Sequence, residues 1–261
     1  MAASNIAAIE RIALALGDLK EKMVFVGGSV AELYADFPEI SDIRPTLDVD
    51  CVVDIEIRSY FDYSKLENKI RALGFQDDTS DNAPICRKIY QGILVDFMPV
   101  FPDILGFSNC WYADGIANKT ERILPNGTAI YIMPVEYYLA TKFEALNNRG
   151  GQDIRGSHDW EDIVYIINNC ANLVTAIKQC SNSQLVEYLH KQCGKLLKNN
   201  NIRETIYSVL PYYSEEENID AILKVINEIY EDNNSSISSI LSNPILMALI
   251  TIDIAFLASN F

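Results

Sequence analysis

Two aspartates one residue apart, Asp48 and Asp50, lie in the stretch Arg44-Pro45-Thr46-Leu47-Asp48-Val49-Asp50-Cys51-Val52-Val53. In an extended strand alternate side chains share a face and residues rise about 3.3 Å each, which puts these two Cα atoms roughly 6.6 Å apart with their carboxylates pointing the same way. Two such groups can clamp one cation. Hard carboxylate oxygens suit Mg²⁺, which takes one or two protein carboxylates and completes its shell with water and phosphate oxygens. Leu47, Val49, Cys51, Val53 and Ile55 fall on the other face and read as the buried side of a sheet.

A glycine pair precedes this stretch. Gly27-Gly28-Ser29 follows the apolar run Met23-Val24-Phe25-Val26, and Val30 to Phe37 has helical composition. Glycines let backbone N–H groups approach phosphate oxygens, and a helix start adds unpaired donors and a positive dipole end. Ser29 is placed to cap the helix or to bond a phosphate. A tight strand-to-helix turn with a capping serine explains the same three residues without any ligand. Asp96 adds a third carboxylate, in the middle of the apolar run Ile93-Leu94-Val95-Asp96-Phe97-Met98-Pro99-Val100. A charge there is costly unless paired or bound to metal. It reads either as the ion-pair partner of Arg87 or Lys88, or as a third ligand that bridges two metal ions and serves as general base for an attacking hydroxyl. Together the motifs describe a candidate nucleotidyltransferase.

The combination of Gly27-Gly28-Ser29, Arg44-x-Thr46-x-Asp48-x-Asp50 and a later strand aspartate, Asp96, resembles the polymerase-β-type nucleotidyltransferase superfamily, most closely AbiE-type toxins and related bacterial nucleotidyltransferase proteins. The resemblance continues in Lys142-x-x-Ala145-Leu146-x-x-Arg149 and Asp159-x-x-Asp162-Ile163, and spans about residues 23 to 165. It implies that Gly27, Gly28 and Ser29 contact the triphosphate, that Asp48, Asp50 and Asp96 bind two Mg²⁺ ions, and that Lys142 reaches the phosphates. Asp159 and Asp162 would orient Lys142 or the nucleotide. It further implies NTP as substrate, tRNA or another cellular molecule as acceptor, and an antitoxin protein as partner. The loop between Ser29 and Asp48 is longer than in compact members and carries Asp36, Glu39 and Asp42.

Two other readings use the same residues. A small-molecule enzyme modifying aminoglycoside or lincosamide antibiotics shares the Gly-Gly and Asp-x-Asp chemistry, and an acidic cleft built from Asp36, Glu39, Asp42 and Asp54 would suit a cationic drug. A non-catalytic nucleotide-binding protein would keep the fold alone. Lys142 lies on a helix whose buried stripe is Leu139, Phe143 and Leu146, while Tyr138, Lys142 and Arg149 occupy another flank. A lysine there is ordinarily solvated. As a point charge it also suits a triphosphate tail, and Arg149 or Arg155 could grip phosphate in a fork.

The chain has 261 residues, 49% of them hydrophobic, enough for one large core or two modest ones. A net charge of −15 and a pI near 4.5 oppose nonspecific attraction to nucleic acid. An RNA acceptor would need a local basic track, for which Lys142, Arg149, Arg155, Lys191, Lys195, Lys198 and Arg203 are the candidates. Cys51, Cys86, Cys110, Cys170, Cys180 and Cys193 form no Cys-x-x-Cys pair, which points to reduced thiols. With only His158 and His190 present, a site built from several histidines is excluded, and no nucleophile elbow supports a Ser-His-Asp hydrolase. The amphipathic segment Ala3 to Lys20 lacks the features of a leader peptide, and 245–258, interrupted by Asp253, is too short for a membrane span. A cytoplasmic, non-membrane protein is expected.

The elements needed to position these groups are a first helix, strands at 23–26, 47–55, 86–91, 93–100 and 128–132, and helices near 29–36 and 63–73. Helices then follow at 134–148, 157–168, 171–179, 182–198, 202–210, 215–230 and 244–258. A hairpin around Gly92 joins the 86–91 and 93–100 strands. Lys198 to Asn201 and Glu231 to Ser239 read as flexible connections. The expected architecture is α/β (α+β): a mixed-sheet nucleotidyltransferase core over residues 1–133, then an α-helical domain over 134–261 that completes the nucleotide cleft.

Overall fold

The computed structural model describes residues 5–38, 41–54, 59–106, 108–149 and 153–241, with residues 232–241 described by backbone alone. Glu39, Ile55 and the segment 244–258 lie outside the described residues.

The fold is mixed α/β, built on a seven-stranded sheet. Helix α1 (Asn5–Leu16) buries Ile9, Ile12, Ala13 and Leu16 and leads through a 3-10 segment into β1 (Met23–Val26), whose four residues are all buried. A second 3-10 segment, Gly28–Tyr34, takes the place of the α-helix expected near 29–36 and ends at Ala35, whose backbone is extended. Then follow β2 (Asp48–Val53), α2 (Tyr60–Ala72), β3 (Gln76–Asp77), β4 (Arg87–Tyr90) and β5 (Ile93–Pro99). Short helices α3 (Pro102–Leu105) and α4 (Tyr112–Ala117) precede the hairpin of β6 (Thr120–Ile123) and β7 (Ala129–Ile132). The sheet order is β3-β4-β5-β2-β1-β7-β6. β2 runs parallel to β5 and β1 parallel to β7, while β1 and β2 are antiparallel, so the sheet is mixed.

The β4–β5 hairpin turns at Gln91 and Gly92, both with positive φ (48° and 82°) and flanked by the pair Tyr90 and Ile93. Two consecutive positive-φ residues match the twist of the flanking strands. Strand β6 was not foreseen: all four of its residues are exposed, so this edge strand carries no apolar alternation to read. Leu47 departs from the expected buried face of the aspartate strand. It precedes β2 and is 87% exposed, whereas Val49, Cys51 and Val53 are buried as expected.

After β7 the chain is helical. α5 (Val135–Arg149), α6 (His158–Asn169), α7 (Leu173–Gln179), α8 (Ser183–Leu197), α9 (Ile202–Tyr207) and α10 (Glu216–Leu241) follow in order. The stretch Glu231 to Ser239, expected as a connection, continues α10; Asn and Ser composition is a weak prior against helix once a long amphipathic run has nucleated it. One contiguous apolar cluster joins the sheet to the helices, from Ile9 and Phe25 through Phe143 and Trp160 to Ile229. All six cysteines are free thiols, four of them buried. Among the described residues no helix is long and apolar enough to cross a membrane.

The first helix also fixes the loop that enters β2. Buried Asn5 donates from Nδ2 to the carbonyl of Arg44 at 3.0 Å and accepts from the backbone N–H of Thr46 at 2.9 Å and its hydroxyl at 3.3 Å. Thr46 in turn donates to the carbonyl of Asp48 at 3.1 Å. Asn5→Ala would leave partly buried backbone groups unpaired, a cost of about 1–3 kcal/mol. A lower midpoint by several degrees in thermal unfolding is expected, although the substitution removes no candidate metal ligand.

Candidate metal and phosphate site

Strand register builds the site directly. In the row crossing the sheet, Arg87 of β4 is paired with Asp96 of β5, Asp96 with Asp50 of β2, and Asp50 with Val26 of β1. Asp48 lies two residues before Asp50, on the same face. One carboxylate oxygen from each of Asp48, Asp50 and Asp96 lies within 4.8 Å of the others. The three acids expected to converge from distant parts of the chain do so.

The ion-pair reading of Asp96 is met in the geometry. The Arg87 guanidinium forks onto Asp96, Nε to Oδ1 and Nη2 to Oδ2, each at 2.8 Å, and the same Nη2 reaches Asp48 Oδ2 at 2.8 Å. Lys88, one residue on, points away to Glu67 and Asp77 at 2.6 and 2.8 Å. Arg87 therefore bridges two of the three carboxylates, as a cation between them would. Among the described residues, none forks onto Asp50 in this way. Burial, then the negative charges of Asp48 and Asp96, push its carboxyl up to about 7 against the opposing pull of Lys142 and Arg87. Three carboxylate oxygens this close, one of them resisting ionisation without a further cation, form a donor set that fits a divalent ion of the Mg²⁺ type.

The glycine turn lies against the acids. Gly27 has φ of +73°, and a Cβ on it would lie 1.9 Å from Asp50 Oδ2, so conformation and space both require glycine. A Cβ on Gly28 would meet Arg44 Nη2 at 2.6 Å and Thr46 Cγ2 at 2.9 Å. Ser29 is fully buried, and its hydroxyl faces the carbonyl of Val26 at 3.5 Å, which ties the turn to β1.

Lys142 is not a solvated helix-flank lysine. It is 7% exposed, with Nζ 2.6 Å from Asp162 Oδ2 and 3.7 Å from Asp159 Oδ1, and it lies 5.6 Å from the centre of the Tyr138 ring. The Tyr138 hydroxyl donates to the carbonyl of Gly27 at 3.1 Å, joining this helix to the turn. Asp159 and Asp162 start α6, whose N-terminus is capped by Ser157 accepting from the Trp160 N–H. Arg149 Nη2 donates to both carboxylate oxygens of Asp159, at 3.1 and 3.0 Å, and Arg44 Nη2 reaches Asp162 Oδ2 at 3.2 Å. The resulting string of alternating charges, Arg149-Asp159-Lys142-Asp162-Arg44, extends the site from the triad to the helices.

Sequence reasoning missed Tyr112, at the start of α4. Burial, followed by the charge of Asp50, holds its hydroxyl well above the usual phenol range, so it stays neutral. A tyrosine at a helix start carries no motif, and only the fold brings it here. Asp36, Asp42 and Asp54 do not gather beside the triad. Asp36 accepts from the Ala171 N–H, and Asp54 pairs with Lys119 beyond the far end of β2. The basic residues are likewise dispersed: Arg155 pairs with Asp153 and Glu204, and Arg203 with Glu216 and Asp220. No protein-family model matches the chain, and no curated protein matches it significantly.

If Arg87 stands in for a cation, Arg87→Gln in chelator should unfold earlier, by about 3 kcal/mol for a largely buried pair. Added Mg²⁺ should restore more stability to the variant than to the native chain, as read by thermal unfolding. The pH dependence has a defined sign. The folded-state value of Asp50 lies above its ordinary 3.8, so below about 4 both folded and unfolded chains are protonated and the group is neutral in effect. As pH rises from about 4 to about 7 the unfolded chain ionises first, and stability contributed by this group is lost. In chelator, Asp50→Asn should flatten that slope.

Proposed function

We propose that this chain is a Mg²⁺-dependent nucleotidyltransferase that moves a nucleoside monophosphate from an NTP to an acceptor hydroxyl and releases pyrophosphate. The observation that carries the reading is the convergence of Asp48, Asp50 and Asp96 against the Gly27-Gly28 turn. Bound at these acids, Mg²⁺ would offset phosphate charge and favour departure of pyrophosphate. The chain's own groups would supply the rest. The backbone N–H groups of the turn, packed against the Asp50 carboxylate at Gly27, would be the donors to phosphate oxygens. Lys142, buried between Asp159 and Asp162, presents a fixed positive charge that would favour the triphosphate. Asp96 would accept the proton of the acceptor hydroxyl as its oxygen bonds to the α-phosphorus and the bond to the pyrophosphate oxygen breaks.

Two observations bear on the acceptor. Among the described residues, Asp36, Asp42 and Asp54 do not gather beside the triad, which disfavours the aminoglycoside-type reading. The arginines that would form an RNA track are paired with acids, so an RNA acceptor such as tRNA would have to be held by a small contact surface. A toxin paired with an antitoxin belongs to the same proposal and rests on the motif resemblance. The non-catalytic alternative draws on Arg87, whose fork on Asp96 would have to open for the acids to serve a metal.

Incubation with labelled NTPs, Mg²⁺ and fractionated cell extract is the direct test. Transfer to one fraction is expected, with a drop on the order of 10²–10³-fold in Asp48→Ala, the loss of several kcal/mol of metal-borne stabilisation. Binding of NTP with no transfer to any fraction by the folded native chain would move the assignment to the non-catalytic reading.

A further inference from the structure

The register that builds the triad continues one strand further. Strand β3 pairs with β4 as Gln76 with Ile89 and Asp77 with Lys88, and the next pair, Asp78 with Arg87, is closed by the Asp78 N–H donating to the Arg87 carbonyl at 3.4 Å. Directly opposed residues of an antiparallel pair share a face. The side chains on both flanks of β4 show it: Lys88 Nζ lies 2.8 Å from Asp77 Oδ1 of β3, and Arg87 Nη2 lies 2.8 Å from Asp96 Oδ2 of β5. The row on the face of the site therefore reads Asp78, Arg87, Asp96, Asp50, with Arg87 between two directly opposed aspartates.

The two aspartates are unequal. Asp96 is buried and takes the fork of Arg87, which also holds Asp48. Asp78 follows the edge strand β3 and forms no ion pair among the described residues; its Oδ1 accepts from the Ser80 hydroxyl at 2.7 Å and from the Ser80 N–H at 2.9 Å. Those hydrogen bonds, with a smaller contribution from the charge of Arg87, hold the Asp78 carboxyl below its ordinary range, so it stays an anion. Its neighbour Asp77 is already held by Arg71 and Lys88. A cation bound among Asp48, Asp50 and Asp96 would repel the guanidinium, whose Nη2 now engages an oxygen on two of those three acids. The displaced charge has one unpaired carboxylate directly opposite it, that of Asp78.

We propose that Asp78 is a positioning residue that receives Arg87: the guanidinium sits on Asp48 and Asp96 while the acids are metal-free, and turns to Asp78 when a divalent cation binds them. This second position rests on the metal reading of the three acids and names the residue that defines it. With Arg87 in its first position, the acids bind a cation only in the fraction of molecules whose fork has opened, and the apparent affinity is reduced by that fraction. Asp78 raises the fraction by giving the displaced guanidinium a partner. Its action runs through Arg87 alone.

The test is a double-mutant cycle on Mn²⁺ binding, read by calorimetry on the full chain without nucleotide, with Asp78→Asn, Arg87→Gln and the two combined. Arg87→Gln should bind Mn²⁺ about tenfold more tightly than the native chain, because no guanidinium competes for the acids. Asp78→Asn should bind about three- to fivefold more weakly, the range of an exposed ion pair, and Asp78→Glu should recover native binding. In the Arg87→Gln background Asp78→Asn should change nothing, since the residue it would receive is gone. The guanidinium itself gives a second readout: the Arg87 Nε–H resonance, assigned by its loss in Arg87→Gln, should shift on addition of Mg²⁺ to a position that differs between the native chain and Asp78→Asn. An equal loss of affinity from Asp78→Asn in both backgrounds would reduce Asp78 to a distant charge, and no loss in the native background would remove its part altogether. Either result overturns the proposal while leaving the metal site in place. Absence of Mn²⁺ binding in every variant, Arg87→Gln included, would overturn the metal reading and the second position of Arg87 with it.

Discussion

Mutual repulsion among three carboxylates on adjacent strands is the constraint to which the surrounding structure responds. Register places Asp50 directly beside Asp96, and the pleat brings Asp48 to the same face. Like charges side by side in a sheet are unfavourable, and more so where water is partly excluded. The fold tolerates them because Arg87 lies in the next strand of the same row, and because Lys142 approaches from α5. What remains uncompensated falls on Asp50, whose carboxyl holds its proton towards neutral pH. A fold arranged for stability alone gains nothing from three acids here, since apolar residues at the same positions would continue the core on which they border.

The glycine turn and the charge string are consequences of the same placement. Asp50 crowds the space over Gly27 so closely that a side chain is excluded, and the Tyr138 hydroxyl ties the Gly27 carbonyl to the helix carrying Lys142. Lys142 is held by Asp162 and Asp159, and those acids are held in turn by Arg44 and Arg149. Each charge in the string is positioned by its neighbour of opposite sign. The string carries three positive and two negative groups, so it is paired throughout without being neutral.

Much of this was legible in the sequence because its signals are local. The alternation of Asp48 and Asp50 fixed a shared face, and a charge in the apolar run around Asp96 demanded a partner. Pro134 and the stripe Leu139, Phe143 and Leu146 marked α5. What escaped was non-local or featureless. Burial of Lys142 depends on α6 closing over it, which no helical periodicity reveals. Asn5 holds the loop before β2 from nearly forty residues away with no motif to announce it. The wholly exposed β6 lacks the pattern by which strands are recognised, and Leu47 falls just outside the strand whose alternation seemed to include it. Arg87 was visible as a partner for Asp96, but its simultaneous grip on Asp48 follows from three-strand geometry.

A crystal structure of the chain with Mn²⁺ and a non-hydrolysable NTP is the most direct measurement of whether the three acids form a metal centre. The account predicts anomalous density among the Asp48, Asp50 and Asp96 carboxylates, triphosphate against the Gly27-Gly28 turn, and the Arg87 guanidinium withdrawn from Asp48. Full occupancy of nucleotide elsewhere, with Arg87 still forked on Asp96 and no metal between the acids, would contradict it.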